Sequence, residues 1–436
     1  MTKPLVALVG RPNVGKSTLF NRLIEAPLAI VEDVPGTTRD RIYADAEWGG
    51  STFTFIDTGG LMLGSGSELE VSVRDQVQTA IAEADVVVFL VDVKEGLTAS
   101  DLEIADLLRR SEKPVLLAVN KADNEGRRQD AMEFYALGLG DPYPISALHG
   151  TGTGDLLDAL IGSVPSPRGE GPFDGTRIAI VGRPNVGKSS LLNAILGQER
   201  MIVNETPGTT RDAVDSFLEW NGEPVVLIDT AGIRRRGRIA PGTERYSVIR
   251  ALRAIQRADV ALLLLDAAEG VTEQDAHVAG YVLEEEKGLV LVVNKWDLVE
   301  KDSYTMQDYT QEVRRVLKFV VHCPLVFVSA VKGQRVGKTI ELALQVQRAR
   351  LSRVSTSELN KAVLDAVAAH SPPSKRGKRL KIYYATQTGV APPSFLFFVN
   401  EPELMHFSYR RFLENRLREA FGYEGTPLRM SFRRRR

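Results

Sequence analysis

The chain has 436 residues, of which 43% are apolar and 25% charged, and it contains a single cysteine, Cys323. This composition excludes wholesale disorder, and one cysteine excludes a disulfide framework within the chain. No apolar run approaches the ~18–20 residues that a membrane helix needs, and the N-terminus lacks a signal-peptide pattern. We therefore expect a soluble, cytoplasmic protein of about three domains.

The net charge of −1 hides an asymmetry along the chain. Residues 351–436 hold 16 Lys and Arg against 7 Asp and Glu, a net charge of +9, so residues 1–350 carry −10. A small basic module on an acidic body suggests a polyanionic partner such as nucleic acid. A basic tail can also be simply solvated, and charge alone leaves both interpretations open.

Five short motifs occur twice in the same order. They are GRPNVGKS at 10–17 and 182–189, PGTTRD at 35–40 and 207–212, DTGG or DTAG at 57–60 and 229–232, NKAD or NKWD at 120–123 and 294–297, and SA at 146–147 and 329–330. The first four pairs lie 172 or 174 residues apart. This spacing is far longer than a solenoid repeat and indicates two tandem copies of a whole domain.

Within each copy, short apolar runs alternate with helical patterns. The first run of each copy, 4–10 or 176–182, stops at a glycine and precedes a helix whose apolar residues have i, i+4 spacing. We expect the leucines and isoleucine of those helices to lie in the core: Leu19, Leu23, Leu191 and Ile195. Further strands are predicted at 52–56, 86–91, 115–119 and 142–146. The alternation predicts an α/β fold with a doubly wound, mostly parallel sheet that binds ligands at its carboxyl edge.

The domain boundaries follow from the repeats and from a segment rich in Pro, Gly and Ser, at 163–176. We predict a first domain at 1–162, a linker at 163–175, a second domain at 176–349 and an α+β domain at 350–436. The last is expected to contain helices at 357–370 and 406–421 and strands at 379–386, 394–400 and 427–432. Of the adjacent Tyr383 and Tyr384, one is expected to pack in the core.

The motif GxxxxGK[ST], placed between a strand and a helix, is a phosphate-binding loop. Its backbone N–H groups converge on an anion, and glycines such as Gly15 and Gly187 let the backbone approach it closely. Lys16 and Lys188 are expected to reach the β- and γ-phosphates, where we also give them a catalytic role. Ser17 and Ser189 should bind Mg²⁺. The complete expected set is Gly10, Arg11, Pro12, Asn13, Val14, Gly15, Lys16 and Ser17, with Gly182, Arg183, Pro184, Asn185, Val186, Gly187, Lys188 and Ser189.

The NKxD motif selects the base. A carboxylate at Asp123 or Asp297 can accept hydrogen bonds from N1–H and the 2-amino group of guanine, whereas adenine would leave the buried charge unpaired. The neighbouring residues are expected to support the base: Asn120 and Asn294 brace the loop, Lys121 and Lys295 cover the base, and the SA motifs (Ser146, Ala147, Ser329, Ala330) offer a backbone N–H to guanine O6. The sequence therefore predicts two guanine-nucleotide sites and argues against an ATPase or kinase.

The DxxG motifs predict the γ-phosphate switch. Asp57 and Asp229 are expected near the water shell of Mg²⁺, and Gly60 and Gly232 at the γ-phosphate. In the PGTTRD segments, Thr38 and Thr210 are predicted to bind Mg²⁺ and to take part in catalysis. The remaining predicted contacts are Thr58, Gly59, Leu61, Thr230, Ala231 and Ile233.

The residue after DxxG is Leu61 or Ile233, neither of which can hydrogen-bond to the attacking water. Many regulatory GTPases have a glutamine there. Hydrolysis must then use another arrangement, and one option is a monovalent cation in the role of an arginine finger, with Asn13 and Asn185 supplying an oxygen ligand. The alternative is that each asparagine only stabilises its turn.

Together these motifs resemble the TrmE–Era–EngA family of GTPases, and in particular its members with two GTPase domains and a small C-terminal domain. The resemblance implies two Ras-like G domains followed by a KH-like domain, and GTP hydrolysis with Mg²⁺ that K⁺ stimulates. It implies association with the assembling large ribosomal subunit and its rRNA, and K⁺ binding at Asn13 and Asn185. We expect a monomer that exchanges GTP and GDP and has no membrane partner.

The C-terminal segment departs from ordinary KH domains, which clamp RNA with a GXXG loop. The candidate loop here, SPPSKRGKR at 371–379, has one glycine. Its basic residues Lys375, Arg376, Lys378 and Arg379 could instead contact rRNA phosphates. The alternative is that this domain docks against the other domains, and the two roles can coexist.

Two other functions share these motifs. One is a GTP-regulated scaffold whose slow hydrolysis only resets partner binding. The other is a tRNA-modification GTPase, which would need an additional modification domain that we do not find in this chain.

Overall fold

The computed structural model describes residues 3–24, 43–57, 78, 81, 84–164, 175–198, 201–203, 215–230, 246–372, 374–375 and 378–435. The chain divides into two compact units. The first unit contains one sheet and the second contains the other three, including the C-terminal domain. Most of the predicted linker lies outside the described residues, so the predicted boundaries remain predictions.

The sheet of the first repeat has six strands in the order β2-β3-β1-β4-β5-β6. They are β1 Leu5–Val9, β2 Tyr43–Trp48, β3 Ser51–Asp57, β4 Val86–Asp92, β5 Val115–Asn120 and β6 Pro142–Pro144. Only β2 is antiparallel to its neighbour. The mostly parallel sheet predicted from the alternating pattern is therefore confirmed.

Helices cover this sheet, which explains its continuous apolar runs. They are α1 Lys16–Ile24, α2 Ala99–Arg109, α3 Glu125–Asp130 and α4 Thr153–Ser163, with a 3₁₀ helix at Ala131–Leu137. All seven residues of β4 are buried, because a parallel strand in the middle of the sheet is covered on both faces. Leu19 and Leu23 of α1 are buried against one face, as predicted. A separate core cluster on the other face includes Ile104 and Leu108 of α2.

The second repeat forms a seven-stranded sheet in the order β13-β12-β11-β7-β10-β9-β8. Its strands are β7 Thr176–Val181, β8 Met201–Val203, β9 Ser216–Trp220, β10 Glu223–Ile228, β11 Val260–Asp266, β12 Gly288–Asn294 and β13 Leu325–Phe327. Its helices are α5 Lys188–Leu196, α6 Tyr246–Arg257, α7 Glu273–Glu284, α8 Thr305–Val316 and α9 Val336–Leu351, with 3₁₀ turns at Trp296–Leu298 and Lys318–Val320. Leu191 and Ile195 of α5 are fully buried, as predicted.

Two antiparallel hairpins were not predicted from the sequence. β2 pairs with β3 across Gly49 and Gly50, and β9 pairs with β10 across Asn221 and Gly222. All four turn residues have positive φ, from 50° to 85°, which is the conformation of a type I′ turn. The sequences EWGG at 47–50 and EWNG at 219–222 do indicate such hairpins, because Gly-Gly and Asn-Gly are typical of two-residue turns.

The C-terminal domain begins directly after α9. It contains α10 Thr356–Ala369, β14 Ser374–Lys375, β15 Lys378–Arg379, β16 Ile382–Gly389, β17 Ser394–Val399, a 3₁₀ turn at Pro402–Leu404, α11 Phe407–Phe421 and β18 Arg429–Arg434. β17 lies in the centre of a three-stranded sheet, antiparallel to β16 and parallel to β18. Residues of α10 and α11 form a core with one face of this sheet. The predicted α+β order is confirmed.

The expectation that either Tyr383 or Tyr384 would be buried is wrong. Both are exposed, by 44% and 41%. The strand register shifts between Ile382 and Tyr384, so strict in-out alternation fails there. A β-bulge cannot be recognised from alternation, and this one places two consecutive tyrosines on the solvent side.

The C-terminal domain docks onto the second repeat through the loop before β18. The Leu289 N–H donates to the Gly425 carbonyl at 2.8 Å, and the Gly425 N–H donates to the His322 carbonyl at 3.0 Å. Arg429 also forms a bidentate ion pair with Glu286, with a closest distance of 2.6 Å. The internal docking considered for this domain therefore exists, and among the described residues it includes Gly425 and Arg429.

In the part of the chain that the structure describes, no helix combines the length and the apolar character needed to span a bilayer.

Candidate nucleotide-binding sites

Both phosphate-loop motifs lie at the carboxyl edge of their sheets, between β1 and α1 and between β7 and α5. Asn13 and Asn185 have positive φ values of 66° and 62°. Gly15 and Gly187 follow with φ values of 98° and 96°. These left-handed residues turn the loop so that it leads into the N-terminus of the next helix, as a phosphate-binding loop requires.

The second glycine of each loop is required by an asparagine from a distant strand. A Cβ on Gly15 would lie 2.3 Å from the Asn120 side-chain nitrogen, and one on Gly187 would lie 2.2 Å from that of Asn294. The phosphate-loop motif explains these glycines by close approach of phosphate. The structure adds a steric reason that is independent of any ligand.

These asparagines join three segments of each site. Asn120 Nδ2 donates to the Val14 carbonyl at 2.8 Å, and its Oδ1 accepts the Ala147 N–H at 2.9 Å. Asn294 makes the same two bonds, to Val186 at 2.8 Å and from Ala330 at 3.0 Å. The predicted bracing of the loop is therefore present in both copies. The N–H groups that were expected to reach guanine O6 are donated to asparagine here, so that contact stays a prediction.

The loop lysines fold across their own loops. Lys16 Nζ donates to the carbonyls of Gly10 and Arg11 at 2.8 and 2.9 Å. Lys188 Nζ donates to the carbonyl of Gly182 at 2.7 Å and also to that of Arg183. Burial lowers the pKa of Lys16, and the nearby Asp57 carboxylate opposes this shift. Each loop thus holds an ammonium group at its centre through its own carbonyl oxygens.

The serine that follows the lysine contacts the DxxG aspartate in the first site. Ser17 Oγ donates to Asp57 Oδ2 at 2.6 Å, although the two residues are 40 positions apart. In the second site, the Asp229 N–H donates to Asp215 at 2.9 Å, and Asp215 forms an ion pair with Arg257 at 2.5 Å. Asp215 lies outside the recognised motifs, so its role could not be predicted from the sequence.

The NKxD aspartates are held by the serine of the SA motif. Ser146 Oγ donates to Asp123 Oδ1 at 2.8 Å, and this bond is the main cause of a lowered pKa at Asp123. A hydrogen bond from Ser329 lowers the pKa of Asp297 in the same way. Both aspartates are therefore held as carboxylates, the form needed to accept hydrogen bonds from a base.

A second aspartate in each site, which the sequence analysis missed, holds the NKxD lysine. Asp92 at the end of β4 forms an ion pair with Lys121, and Asp266 at the end of β11 pairs with Lys295 at 2.5 Å. Both carboxylates are buried. The signal was available, because each aspartate ends a buried apolar run at the same place in the two repeats.

The loop arginines contact aspartates at the start of a neighbouring helix. Arg183 Nε donates to both carboxylate oxygens of Asp275, at 3.1 and 3.0 Å, and Arg11 Nε donates to Asp101 at 3.3 Å. Asp101 and Asp275 are fully buried and also form the capping boxes of α2 and α7. Neither aspartate was predicted from the sequence, although Thr-x-x-Asp before a helix is a recognisable capping signal.

Several predicted site residues lie outside the described residues. They are Thr38, Thr58, Gly59, Gly60 and Leu61 in the first repeat and Thr210, Ala231, Gly232 and Ile233 in the second. Their roles stay predictions. Thr230 is described, and its hydroxyl lies 2.9 Å from that of Ser216.

The candidate RNA-contact residues lie in and around a short hairpin, in which the strands β14 and β15 have two residues each. Lys378 and Arg379 are exposed, and Lys378 Nζ forms an ion pair with Glu401 at 2.6 Å. The side chain of Lys375 and all of Arg376 lie outside the described residues. The proposed phosphate contacts of these four residues stay predictions.

Two repeats with phosphate loops and NKxD motifs at the carboxyl edges of α/β sheets, followed by an α+β domain, define a tandem GTPase. A family model described as "50S ribosome-binding GTPase" matches residues 5–121 and 177–295. A second model, "KH-domain-like of EngA bacterial GTPase enzymes, C-terminal", matches residues 353–433. The two repeats are thus G domains, and the third domain is KH-like.

Curated relatives match over the full length. The GTPase Der of Moorella thermoacetica is 56% identical, with 100% of both chains covered. The GTPase Der of Chloroflexus aggregans is 55% identical, with 100% of this chain and 99% of the relative covered. That of Geobacillus thermodenitrificans is 54% identical, with 100% of both chains covered. The chain belongs to the GTPase Der family, and it binds and hydrolyses GTP.

Proposed function

We propose that this GTPase acts in assembly of the large ribosomal subunit, in the cytoplasm, and that the nucleotides in its two G domains control its association with that subunit. The observation that carries the proposal is the match of both G domains to a family described as a 50S ribosome-binding GTPase. The basic C-terminal domain supports it, because rRNA is the polyanion of such a particle.

The two sites bind the phosphates and Mg²⁺ through corresponding residues. The loop backbone and Lys16 or Lys188 bind the β- and γ-phosphates, and Thr38 and Thr210 complete the sites around GTP. In the first site, Ser17 Oγ and Asp57 Oδ2 lie 2.6 Å apart, and they are the hard oxygen donors that Mg²⁺ prefers. Ser189 and Asp229 are the matching residues of the second site. Mg²⁺ bound there would neutralise charge on the phosphates.

The base site is specific for guanine. Asp123 and Asp297 keep lowered pKa values through their serine partners, so each presents a carboxylate to the N1–H and 2-amino donors of guanine. Asp123 is exposed and not buried as expected, and each aspartate keeps its serine hydrogen bond, so the discrimination comes from the lost partners of the base: adenine lacks these donors and forgoes hydrogen bonds to a charged acceptor, each worth about 1.5–3 kcal/mol. The Asp92–Lys121 and Asp266–Lys295 ion pairs orient the lysine stems beside the base.

Potassium takes part through Asn13 and Asn185. Both side chains belong to residues in the left-handed conformation, within the loops that surround the phosphates. An amide oxygen suits a monovalent cation, and neither Leu61 nor Ile233 can orient water. The bound cation would supply positive charge beside the phosphates.

Sedimentation with ribosomal particles tests the proposed function. The full-length protein is centrifuged with large and small subunits under GDP, GTP and a non-hydrolysable GTP analogue. We expect co-sedimentation with the large subunit that changes with the nucleotide. The sedimentation is then repeated with Asp297→Asn and xanthine nucleotides. A change in co-sedimentation with the xanthine nucleotide assigns the nucleotide dependence to the second site. No association with the large subunit under any nucleotide would overturn the proposal.

A further inference from the structure

The sheet of the C-terminal domain has two different faces. Ala385, Phe395, Phe397, Val399 and Met430 face the helices and are buried in the domain core. The intervening residues of β17 point to the other side and are half-buried. In the described part of this domain, both α10 and α11 belong to the core on the inner face.

The outer face carries a stacked aromatic pair in register with an arginine. Tyr384 pairs with Phe398, and Phe398 pairs with Arg433, across the three strands. The Tyr384 and Phe398 rings lie 4.3 Å apart and 15° from parallel. Beside them, the Arg435 guanidinium lies 5.0 Å from the ring centre of the exposed Tyr383.

The charge of this face has one sign. The strands β16, β17 and β18 contain no aspartate or glutamate, whereas β18 carries Arg429 and Arg433 in register with the outer-face residues Ser394 and Phe398. Arg429, at the far end of the face, is held by Glu286 of the second G domain. The aromatic end of the face therefore combines exposed rings with arginines that are suited to phosphate.

We propose that this face, defined by Tyr383, Tyr384, Phe398 and Arg433, binds an unpaired segment of RNA by stacking a base on the aromatic pair while the arginines contact the flanking phosphates. This binding mode differs from a GXXG clamp and from phosphate contacts at the β14–β15 hairpin. It rests on the proposed function in taking RNA as the partner.

Unpaired RNA fits this surface better than a duplex or an acidic peptide. Bases within a duplex already stack on their neighbours, so their faces cannot reach a protein ring. An acidic peptide would satisfy the arginines and leave the stacked rings exposed. Stacking accepts any base, because every base has a π face, and the arginines add a contribution that depends on salt.

Binding of the full-length protein to a fluorescein-labelled oligoadenylate, and to a duplex of the same RNA sequence, tests the proposal. The variant Tyr384→Thr removes the ring and keeps a residue suited to a strand. We expect its affinity for oligoadenylate to fall about 5- to 150-fold, the range that loss of one stacked base gives, with an unchanged salt dependence. Tyr384→Phe keeps the ring and should bind as the parent does.

Two further variants separate the contributions. Arg433→Gln should lower the magnitude of the slope of log K against log salt by about 0.7, the value for one phosphate on a single strand. Phe407→Ala removes a ring that is more exposed than that of Tyr384, 74% against 41%, at the start of α11 and away from the sheet, and should leave the affinity unchanged. Thermal unfolding of each variant identifies any that fails to fold.

Unchanged oligoadenylate affinity in folded Tyr384→Thr would overturn this inference, as would an equal loss for duplex RNA or an equal loss in Phe407→Ala. Sedimentation of the same variant with large subunits keeps the two proposals distinct. Absence of subunit binding by the parent protein overturns the proposed function. Unchanged oligoadenylate affinity alongside normal subunit binding overturns only the stacking face.

Discussion

Arg183 in the second phosphate loop and Asp275 at the start of α7 hold two segments 92 residues apart, with Arg183 Nε donating to both carboxylate oxygens. The same carboxylate accepts the Thr272 N–H at 3.0 Å, so it caps the helix while it anchors the loop. Arg11 and Asp101 repeat the arrangement in the first G domain. Each phosphate loop is thus fixed to a helix that contributes no motif of its own.

Asp275→Asn should destabilise the second G domain. It removes one partner of a buried ion pair, and such changes cost about 3 kcal/mol. Denaturant unfolding measures the loss. The matched control is Glu269→Gln, which breaks the exposed ion pair of the same arginine and should cost less than about 1 kcal/mol. Equal losses in the two variants would contradict the anchoring role of Asp275.

Asp123→Asn and Asp297→Asn should each change the base preference of one site from guanine to xanthine. Xanthine carries an oxygen where guanine has its amino group, and an amide can donate to that oxygen. Equilibrium titration with labelled guanine and xanthine nucleotides measures the change, with the other site as an internal control. A mutated site that still prefers guanine at unchanged affinity would remove its aspartate from the base site.

Hydrolysis of GTP should be faster in K⁺ than in Na⁺ at matched ionic strength, and the difference should disappear in Asn13→Gly with Asn185→Gly. Glycine is the informative replacement, because φ is 66° and 62° at these positions and alanine would add backbone strain. Asn→Asp variants keep an oxygen ligand and should retain a cation effect. Equal rates in the two salts for the parent protein would exclude the potassium role.

Stability should fall in mild acid because of His322. Burial, with help from Arg418 and Arg314, lowers the pKa of this ring to about 3. The unfolded chain, with a pKa near 6.5, then binds the proton first as the pH falls. The free energy of unfolding should therefore decrease between about pH 6.5 and 3, by about 2 kcal/mol at pH 5.

The comparison that isolates this effect is the pH dependence of unfolding in the parent and in His322→Gln. Carboxylates titrate alike in both proteins, so the difference between the two curves reports the histidine. We expect the parent to lose about 2 kcal/mol more than the variant between pH 7.5 and 5. Parallel curves would mean that the ring can be protonated in the folded protein.

Replacing Lys375, Arg376, Lys378 and Arg379 together by alanine should weaken binding to the large subunit and flatten its salt dependence. If about 4–6 phosphates are neutralised in the parent, log K falls with log salt at a slope of about −3 to −5. Arg315→Ala with Lys338→Ala removes two exposed charges elsewhere and is the control. GTP hydrolysis by the free protein should change little, and normal binding at all salt concentrations would exclude the hairpin from the RNA contact.

The sequence by itself determined the α/β class, the two repeats and the chemistry of each site. Parallel strands that are buried on both faces are apolar along almost their whole length, so β4 and β11 can be predicted from their runs of apolar residues. The phosphate loop and NKxD also depend on local sequence, because a few consecutive residues set the backbone conformation and the functional side chains. Asn120 and Asp123 could therefore be named without knowing their neighbours in the fold.

Only the tertiary structure decided which distant residues meet. Asn120 contacts Val14 because β5 and β1 end at the same edge of one sheet, and no local pattern encodes that edge. The exposure of both Tyr383 and Tyr384 depends on a register shift between two strands. The docking of Gly425 depends on Leu289 of β12, which lies 136 residues earlier in the chain. Strand order, register and domain docking are set by packing summed over the whole chain. They therefore cannot be predicted from the local sequence around any one residue.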